Sequence, residues 1–307
     1  MSNNRRSAVI GVVLALAVLA AILAFVLLSQ KQAAPQASPS TSASPSLNQE
    51  LLSKRLTVLV IGTDSSKVRR SQGINSINTD SLIVASISAD QSKVTLISLP
   101  RDTVDIPLPD GTKWTSKVNG IEAAKGVDAL VAAVSELFGV PIDGYVQVDM
   151  DGLVALVDAV GSVKVNPAEP LTDPKVSLSI PAGEQQLDGA TALKYVRTRV
   201  DTDYGRDARQ QEVVLQLVGR LVSPQTDVDV AKLLHGLDSL KTNLPLNDLP
   251  TLLEIARRAQ SATVTRQVLK PPQFISFEGD RGDGRGYILE PDVEAIRAYV
   301  KQQIGSS

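Results

Sequence analysis

Residues 195–210, YVRTRVDTDYGRDARQ, gather four arginines (Arg197, Arg199, Arg206, Arg209) and three aspartates in a chain of otherwise mild charge. Guanidinium binds phosphate in bidentate fashion, each charged contact contributing about 1.5–3 kcal/mol. A buried row of unpaired arginines is very costly, so a cluster that points inward needs a multiply charged anion. The competing reading is a solvated helix face, on which Asp and Arg at three- and four-residue spacing pair weakly. Two more carboxylates, Asp64 and Asp80, fall at strand ends. Such a pair suits a hard, oxygen-ligated cation, because Mg2+ takes one or two carboxylates plus substrate phosphates and waters. Arg101, just past the end of another strand, adds a further phosphate-binding group.

The elements that must position these groups are legible from periodicity. RLTVLVIGTD reads as a buried strand delivering Gly62 and Asp64 at its C-terminal end. DSLIVASIS and KVTLISLPRD are two further strands joined by the polar turn ADQS, and antiparallel pairing puts Asp80 and Arg101 on the same edge. GVDALVAAVSELFGV has helical spacing and ends at Gly139; GYVQVDM is a strand, DGLVALVDAVG a helix with Asp151 as its N-cap, and SVKVN a strand. The alternation predicts an α/β fold, a mixed central sheet with helices on both faces. LDGATALKYVRTR forms a helix opened by Asp188, and RDARQQEVVLQLVGRLV another, joined by VDTDYG. On the second helix Arg206, Arg209 and Gln210 project from one face. Arg197 and Arg199 lie about 200° apart if both are helical, so they share a target only if the first helix ends there.

Composition narrows the chemistry. The 307 residues hold 31 Lys+Arg against 33 Asp+Glu, a net charge of −2, so no general field gathers nucleic acid. Aromatics make up 3%, too few for a base-stacking platform. The absence of cysteine excludes disulfides and thiolate chemistry, and the single histidine, His235, lies in an amphipathic helical pattern that reads as structural. Residues 7–29 carry no charge and span roughly 33 Å as a helix, enough for an uncleaved membrane anchor. Arg5 and Arg6 precede it, placing residues 1–6 in the cytoplasm and everything after residue 30 outside. Residues 30–50, rich in Pro, Ser and Ala, read as a disordered spacer. The Arg-Gly-Asp of EGDRGDGRGY is a chance match in a Gly-rich turn, and EPDVEAIRAYVKQQI a terminal helix with Pro291 in its first turn.

The ordered motifs VLVIGTD, NTDSLIVASI, KVTLISLPRDTVDI, KVNGIEAAKG, GVPIDGYVQVDMDGLVALVDAVGSVKVN, GEQQLDGATALKYVRTR and DYGRDARQQ resemble the LytR-CpsA-Psr (LCP) family over about residues 55–222. The resemblance implies a catalytic domain over 51–225, with 226–307 as an extension packed on it. It also implies a membrane-anchored, Mg2+-dependent phosphotransferase on the extracytoplasmic side. The reaction would move a glycopolymer from a polyprenyl-diphosphate carrier to a cell-wall glycan hydroxyl. Asp64, Asp80 and Arg101 would then be catalytic, the two aspartates holding the metal. Arg101, Arg197, Arg199, Arg206 and Gln210 would form the diphosphate clamp, with Asn78 and Arg209 beside them. The family usually has an arginine where this chain has Asn78, which donates a hydrogen bond but brings no charge. Lys67, Arg69 and Arg70 are the nearby cations able to compensate. Asp64, then Asp102, are candidates to accept the acceptor proton. The helices ALVAAVSELFGV, LVALVDAV and EVVLQLVGRLV are apolar enough to line a groove for the prenyl tail. Other readings are a non-catalytic carrier of prenyl-diphosphate lipids, a diphosphate hydrolase, and an envelope regulator; a six-residue cytoplasmic tail is too short for a DNA-binding module.

Overall fold

The computed structural model describes residues 47–74, 77–223 and 225–305. The expected tail (1–6), anchor (7–29) and most of the spacer (30–50) lie outside them; among the described residues no helix is long and apolar enough to cross a membrane. The chain runs α1 (Gln49–Ser53), β1 (Leu56–Thr63), α2 (Lys67–Ser71), β2 (Thr79–Ile87), β3 (Lys93–Ser98), β4 (Ile106–Pro107), β5 (Lys113–Trp114), α3 (Ile121–Lys125) and α4 (Val127–Phe138). It continues through β6 (Gly144–Val148), α5 (Met150–Ala159), β7 (Val163–Val165), β8 (Leu171–Asp173), β9 (Leu178–Ile180), β10 (Gln185–Leu187), α6 (Gly189–Arg197) and α7 (Asp203–Val222). The remainder forms α8 (Val230–Leu237), β11 (Leu240–Thr242), α9 (Leu249–Arg258), β12 (Thr263–Val268), the hairpin β13 (Ile275–Asp280) and β14 (Tyr287–Pro291), and α10 (Val293–Ile304).

Six strands make one mixed sheet in the order β11-β6-β1-β2-β3-β12. β1 pairs antiparallel with β2 and parallel with β6, while β3 pairs parallel with β12. The hydrophobic run of β1 is continuous because both of its faces are covered. Val58 and Val60 enter one core with Leu156, Val213 and Leu217 of α5 and α7; Leu59 and Ile61 enter the other with Leu130, Val134 and Ile296 of α4 and α10. Each fully buried Leu, Ile or Val contributes about 1.5–3 kcal/mol, so the period-2 alternation of β1 pins its register between two helical layers. The segment beyond residue 225 supplies both edge strands, β11 and β12. On the α5 side, Gly189 allows α6 to cross closely, since a Cβ there would lie 2.3 Å from the Val154 carbonyl oxygen.

Three local expectations change. α5 is capped by Asp149, whose Oδ1 accepts from Gly152 N at 2.9 Å; Asp151 instead accepts from Lys67 N at 2.5 Å, binding α2 to α5. α7 starts at Asp203, because the Thr202 hydroxyl accepts from Gly205 N at 2.8 Å; Tyr204 and Gly205 therefore lie in its first turn rather than in the connection. α10 starts at Val293 behind the cap Asp292, leaving Pro291 at the end of β14.

Candidate functional site

α6 ends at Arg197 and Thr198 is already extended, so the break that the arginine spacing required occurs between Arg197 and Arg199. α7 then returns antiparallel to it, and the two helix termini meet the C-terminal end of β1 and the start of β2. Between the sheet and helices α5, α6 and α7 lies a groove of about 730 Å³, mouth included. Its walls are Val60, Leu153, Leu156, Leu193, Val213, Val214 and Leu217, and its mouth carries Asp64, Asp80, Arg197 and Gln210. Of the three helices expected to line a groove, α5 and α7 do so. α4 packs on the opposite face of the sheet, where Leu130, Val134 and Leu137 are core; its hydrophobic stripe could not say which face it would cover.

The carboxylates sit in dense polar surroundings. Asp64 Oδ1 accepts from Asn78 N at 2.9 Å, and Asp64 Oδ2 from Asn78 Nδ2 at 3.0 Å. Arg69 Nη2 lies 3.1 Å from the same Oδ2. Asn78 thus orients Asp64, and the guanidinium charge arrives from Arg69 on α2, a short helix capped by Ser66. Arg101, following β3, donates to Asp80 at the start of β2, the same-edge meeting that the hairpin predicted. Its Nε lies 3.5 Å from Asp102 Oδ2, and Lys117 Nζ lies 2.8 Å from Asp102 Oδ1. Asp102 is therefore held between two cations and does not line the groove.

Arg199 and Arg206 converge on one acceptor: Arg199 Nε is 3.2 Å and Arg206 Nη1 2.8 Å from Asp203 Oδ1. Arg206, 3% exposed, also donates through Nε and Nη2 to Asp207 Oδ1 at 3.2 and 2.9 Å. Burial and the positive charges of Arg206 and Arg101 push the Arg199 pKa down, against the pull of Asp203 and Asp80. Burial also works to lower Arg101, but Asp80, Asp102 and Asp203 outweigh it and raise its pKa. These mutual influences place Arg101, Arg199 and Arg206 in one cluster. Burial raises the Asp207 pKa to about 6 despite Arg206 beside it. The cluster is not the row of unpaired arginines weighed from the sequence, because Asp80, Asp203 and Asp207 act as internal counter-ions that an entering anion must displace or share. Arg197 differs: it is exposed at the groove mouth, with no carboxylate within ion-pair distance among the described residues.

Arg209 is not brought to the groove. Its guanidinium donates to the carbonyls of Tyr195 and Thr198 at 3.0 and 2.6 Å and to both oxygens of Asp201 at 2.7 and 2.9 Å. These bonds tie the C-terminus of α6 to α7, and a Cβ at Gly205 would collide with Asp201 at 2.1 Å. The expected common face of Arg206, Arg209 and Gln210 is thus divided: Gln210 lines the groove, while Arg209 reaches back to the carbonyls that end α6.

Several participants escaped sequence reasoning. Asp203 and Asp207 were visible only as neighbours of the arginines, and Arg69 only as one of three loop cations. The β13–β14 hairpin reaches the site from more than 70 residues away: burial and the Glu278 carboxylate raise the pKa of Tyr204 in the first turn of α7. The Arg-Gly-Asp turn of this hairpin is engaged internally, Arg281 with Glu290 and Asp283 with Arg285. Among the described residues, Arg69 Nε, Asp207 Oδ2 and Tyr204 Oη are buried polar atoms of this region without a hydrogen-bond partner, while Arg101 Nε, Arg206 Nη1 and Asp203 Oδ1 are held only by ion-pair contacts. Native interiors rarely leave such atoms unsatisfied, so the cluster beside the groove mouth keeps hydrogen-bonding capacity for a ligand.

No group of three or more His, Cys, Asp or Glu forms a metal cage among the described residues. Asp64 and Asp80, both at the groove mouth, are the carboxylates that could hold a Mg2+, which would have to share oxygens now held by Asn78, Arg69 and Arg101 and take its other ligands from substrate and water.

The LytR_cpsA_psr family matches residues 23–296. Biofilm regulatory protein A of Streptococcus mutans is 29% identical over 270 residues, 82% of this chain and 64% of that protein, so the chain spans under two thirds of that relative. The polyisoprenyl-teichoic acid-peptidoglycan teichoic acid transferase TagU of Enterococcus faecalis is 30% identical over 257 residues, 81% of this chain and 80% of that protein. The crystal structure of a transcriptional regulator from Enterococcus faecalis superposes with a TM-score of 0.67 at 26% identity, covering 85% of this chain and 92% of that one. With one family matching nearly its whole length and an α/β fold shared with a solved relative, the chain belongs to the LytR_cpsA_psr family.

Proposed function

We propose that the protein is a membrane-anchored phosphotransferase that moves a glycopolymer from a polyprenyl-diphosphate carrier to a cell-wall glycan hydroxyl. One observation carries the reading: an apolar groove walled by Val60, Leu156, Leu193 and Leu217 opens at a mouth that carries Asp64, Asp80, Arg197 and Gln210, with Arg101 paired to Asp80 beside it. An amphiphile with a long hydrocarbon tail and a multiply charged head fits both parts. Each buried CH₂ of the tail contributes about 0.8 kcal/mol. The transferase named among the relatives supports the substrate class.

In this mechanism the prenyl chain lies between β1 and helices α5–α7, and the diphosphate lies across Arg197, Arg199, Arg206, Arg101 and Gln210. The acceptor hydroxyl forms a bond to the sugar-bearing phosphorus while the bond to the bridging oxygen breaks, and polyprenyl phosphate leaves. The hydroxyl proton passes to Asp64, which lines the mouth and is oriented by Asn78 and Arg69; Asp102, held by Arg101 and Lys117, is set back from it. The guanidiniums neutralise charge developing on the phosphate oxygens, the main source of rate in phosphoryl transfer. Asp64 and Asp80 would hold Mg2+, which supplies further charge neutralisation at those oxygens. Residues 7–29 would anchor the enzyme at the membrane that holds the lipid carrier.

The test uses the full chain in detergent with a polyprenyl-diphosphate oligosaccharide, an uncross-linked cell-wall glycan, and Mg2+ or EDTA. Glycan-linked product with release of polyprenyl phosphate, lost in EDTA, is the expected result. Retention of the donor without turnover would identify a lipid-binding protein instead. Polyprenyl phosphate release at the same rate without any glycan would identify a hydrolase.

A further inference from the structure

A second cleft opens beside the groove mouth and shares Thr63 and Asp149 with it. It is open, about 900 Å³ with its mouth included, and more polar than the groove, with Ser65, Lys67, Asp238, Ser239 and Lys241 on its walls. In the sheet order β11-β6-β1-β2-β3-β12, this cleft lies over the ends of β1, β6 and β11, and the arginine cluster over those of β2 and β3. The two therefore flank the reaction centre at Asp64 from opposite sides. Its floor is held: Arg70 on α2 donates to Ser65 Oγ at 2.6 Å and to Asp149 Oδ2 at 3.3 Å, linking the cleft wall to the cap of α5, which roofs the groove.

Two ammonium groups of the cleft are not neutralised. Lys241 on the edge strand β11 and Lys67 have no carboxylate within ion-pair distance among the described residues, and the contact of Lys67 Nζ is His235 Nε2 at 3.4 Å. Of the carboxylates at the cleft, Asp149 is engaged by Arg70, as is Asp151 behind it, and Asp238 is the one unpaired acidic group on the wall among the described residues, set against the two lysines. A phosphoryl group attacked in line has its leaving group and its nucleophile on opposite sides. With the prenyl phosphate leaving into the groove, the nucleophile must enter from a polar space that adjoins the mouth.

We propose that this cleft is the acceptor subsite, and that it selects a glycan bearing carboxylates close to the attacking hydroxyl, with Lys241 and Lys67 as its recognition groups. The inference rests on the transferase reading and assigns its second substrate. Ser65 and Ser239 supply hydroxyls for the hydrogen bonds that sugar hydroxyls and amides require, and the two lysines supply charge.

The experiment compares wild type, Lys241→Glu and Lys241→Gln, as full chains in detergent, for transfer to soluble uncross-linked glycan strands with free carboxylates and with the carboxylates amidated. Lys241 is exposed on an edge strand, so the variants keep the fold, checked by an unchanged thermal midpoint. The expected result is an acceptor KM raised about tenfold in Lys241→Glu, with donor KM and kcat unchanged. The wild-type preference for the free-acid strands disappears in both variants. Direct binding of the same strands, measured without donor, weakens in parallel. Equal acceptor KM in all three proteins would overturn the assignment while leaving the transferase reading intact. A raised donor KM with unchanged acceptor KM would overturn it as well and give the cleft to the donor's polymer. Failure of wild type to transfer to any acceptor would refute the transferase reading, and the binding measurement would still decide whether the cleft holds glycan.

Discussion

Removing Arg101 separates catalysis from structure most sharply. Its guanidinium is 20% exposed, donates to Asp80 and lies 3.5 Å from Asp102. As a partly solvated ion pair it contributes about 1 kcal/mol or less to folding. If it also grips a diphosphate oxygen, Arg101→Ala removes a charged contact of about 1.5–3 kcal/mol, which is about 10- to 150-fold in kcat/KM. Asp80 then faces the incoming anion without its counter-ion, which deepens the loss. Arg101→Lys keeps charge but loses the fork and should fall between the two. The assay is release of polyprenyl phosphate at saturating glycan, run beside a thermal midpoint. A purely structural ion pair makes a different prediction: deleting Asp80 as well would relieve the unpaired charge and restore activity. Wild-type kcat/KM in Arg101→Ala, or its recovery in the double variant Asp80→Ala/Arg101→Ala, would remove Arg101 from the diphosphate site.

Filling the groove should separate tail from head: Leu193→Trp, at the α6 wall, is expected to raise KM for long-chain polyprenyl donors at least tenfold while sparing a short-chain diphosphate donor. Arg209→Ala removes charged hydrogen bonds to the Tyr195 and Thr198 carbonyls and should cost about 2–3 kcal/mol, read as a lower denaturation midpoint. Asp207, with its pKa raised to about 6 by burial, binds a proton in the folded chain between pH 4 and 6 where the unfolded chain does not. Its share of stability therefore rises as pH falls through that window and is lost above it. Subtracting the unfolding free energy of Asp207→Asn from that of wild type should give a difference that grows from pH 7 to pH 4; a difference independent of pH would refute the buried, raised carboxyl.

The strands, most helices and the Asp80–Arg101 meeting were legible in the sequence because each depends on local periodicity or on one short turn. Ends of elements moved by one to three residues wherever two caps competed. Asp149 displaced Asp151 because Asp151 was engaged by the backbone of α2, and Thr202 started α7 ahead of the position that Tyr204 and Gly205 suggested. The assignment of α4 to a groove failed for a related reason: an amphipathic stripe shows that a face is buried, not against which side of the sheet.

The residue order alone supplied the inventory: a chain of net charge −2 without thiols, an alternating strand and helix order, carboxylates at strand ends, and arginines about a forced helix break. Only the tertiary structure decided which arginine meets which partner. A guanidinium near a helix terminus can pair with a carboxylate, cap a carbonyl or stay free, at local free energies that differ by about 1 kcal/mol or less. Packing of segments far apart in the chain settles that choice, which is why Arg209 braces α6, Arg69 stands beside Asp64 and Arg197 stays open at the groove mouth.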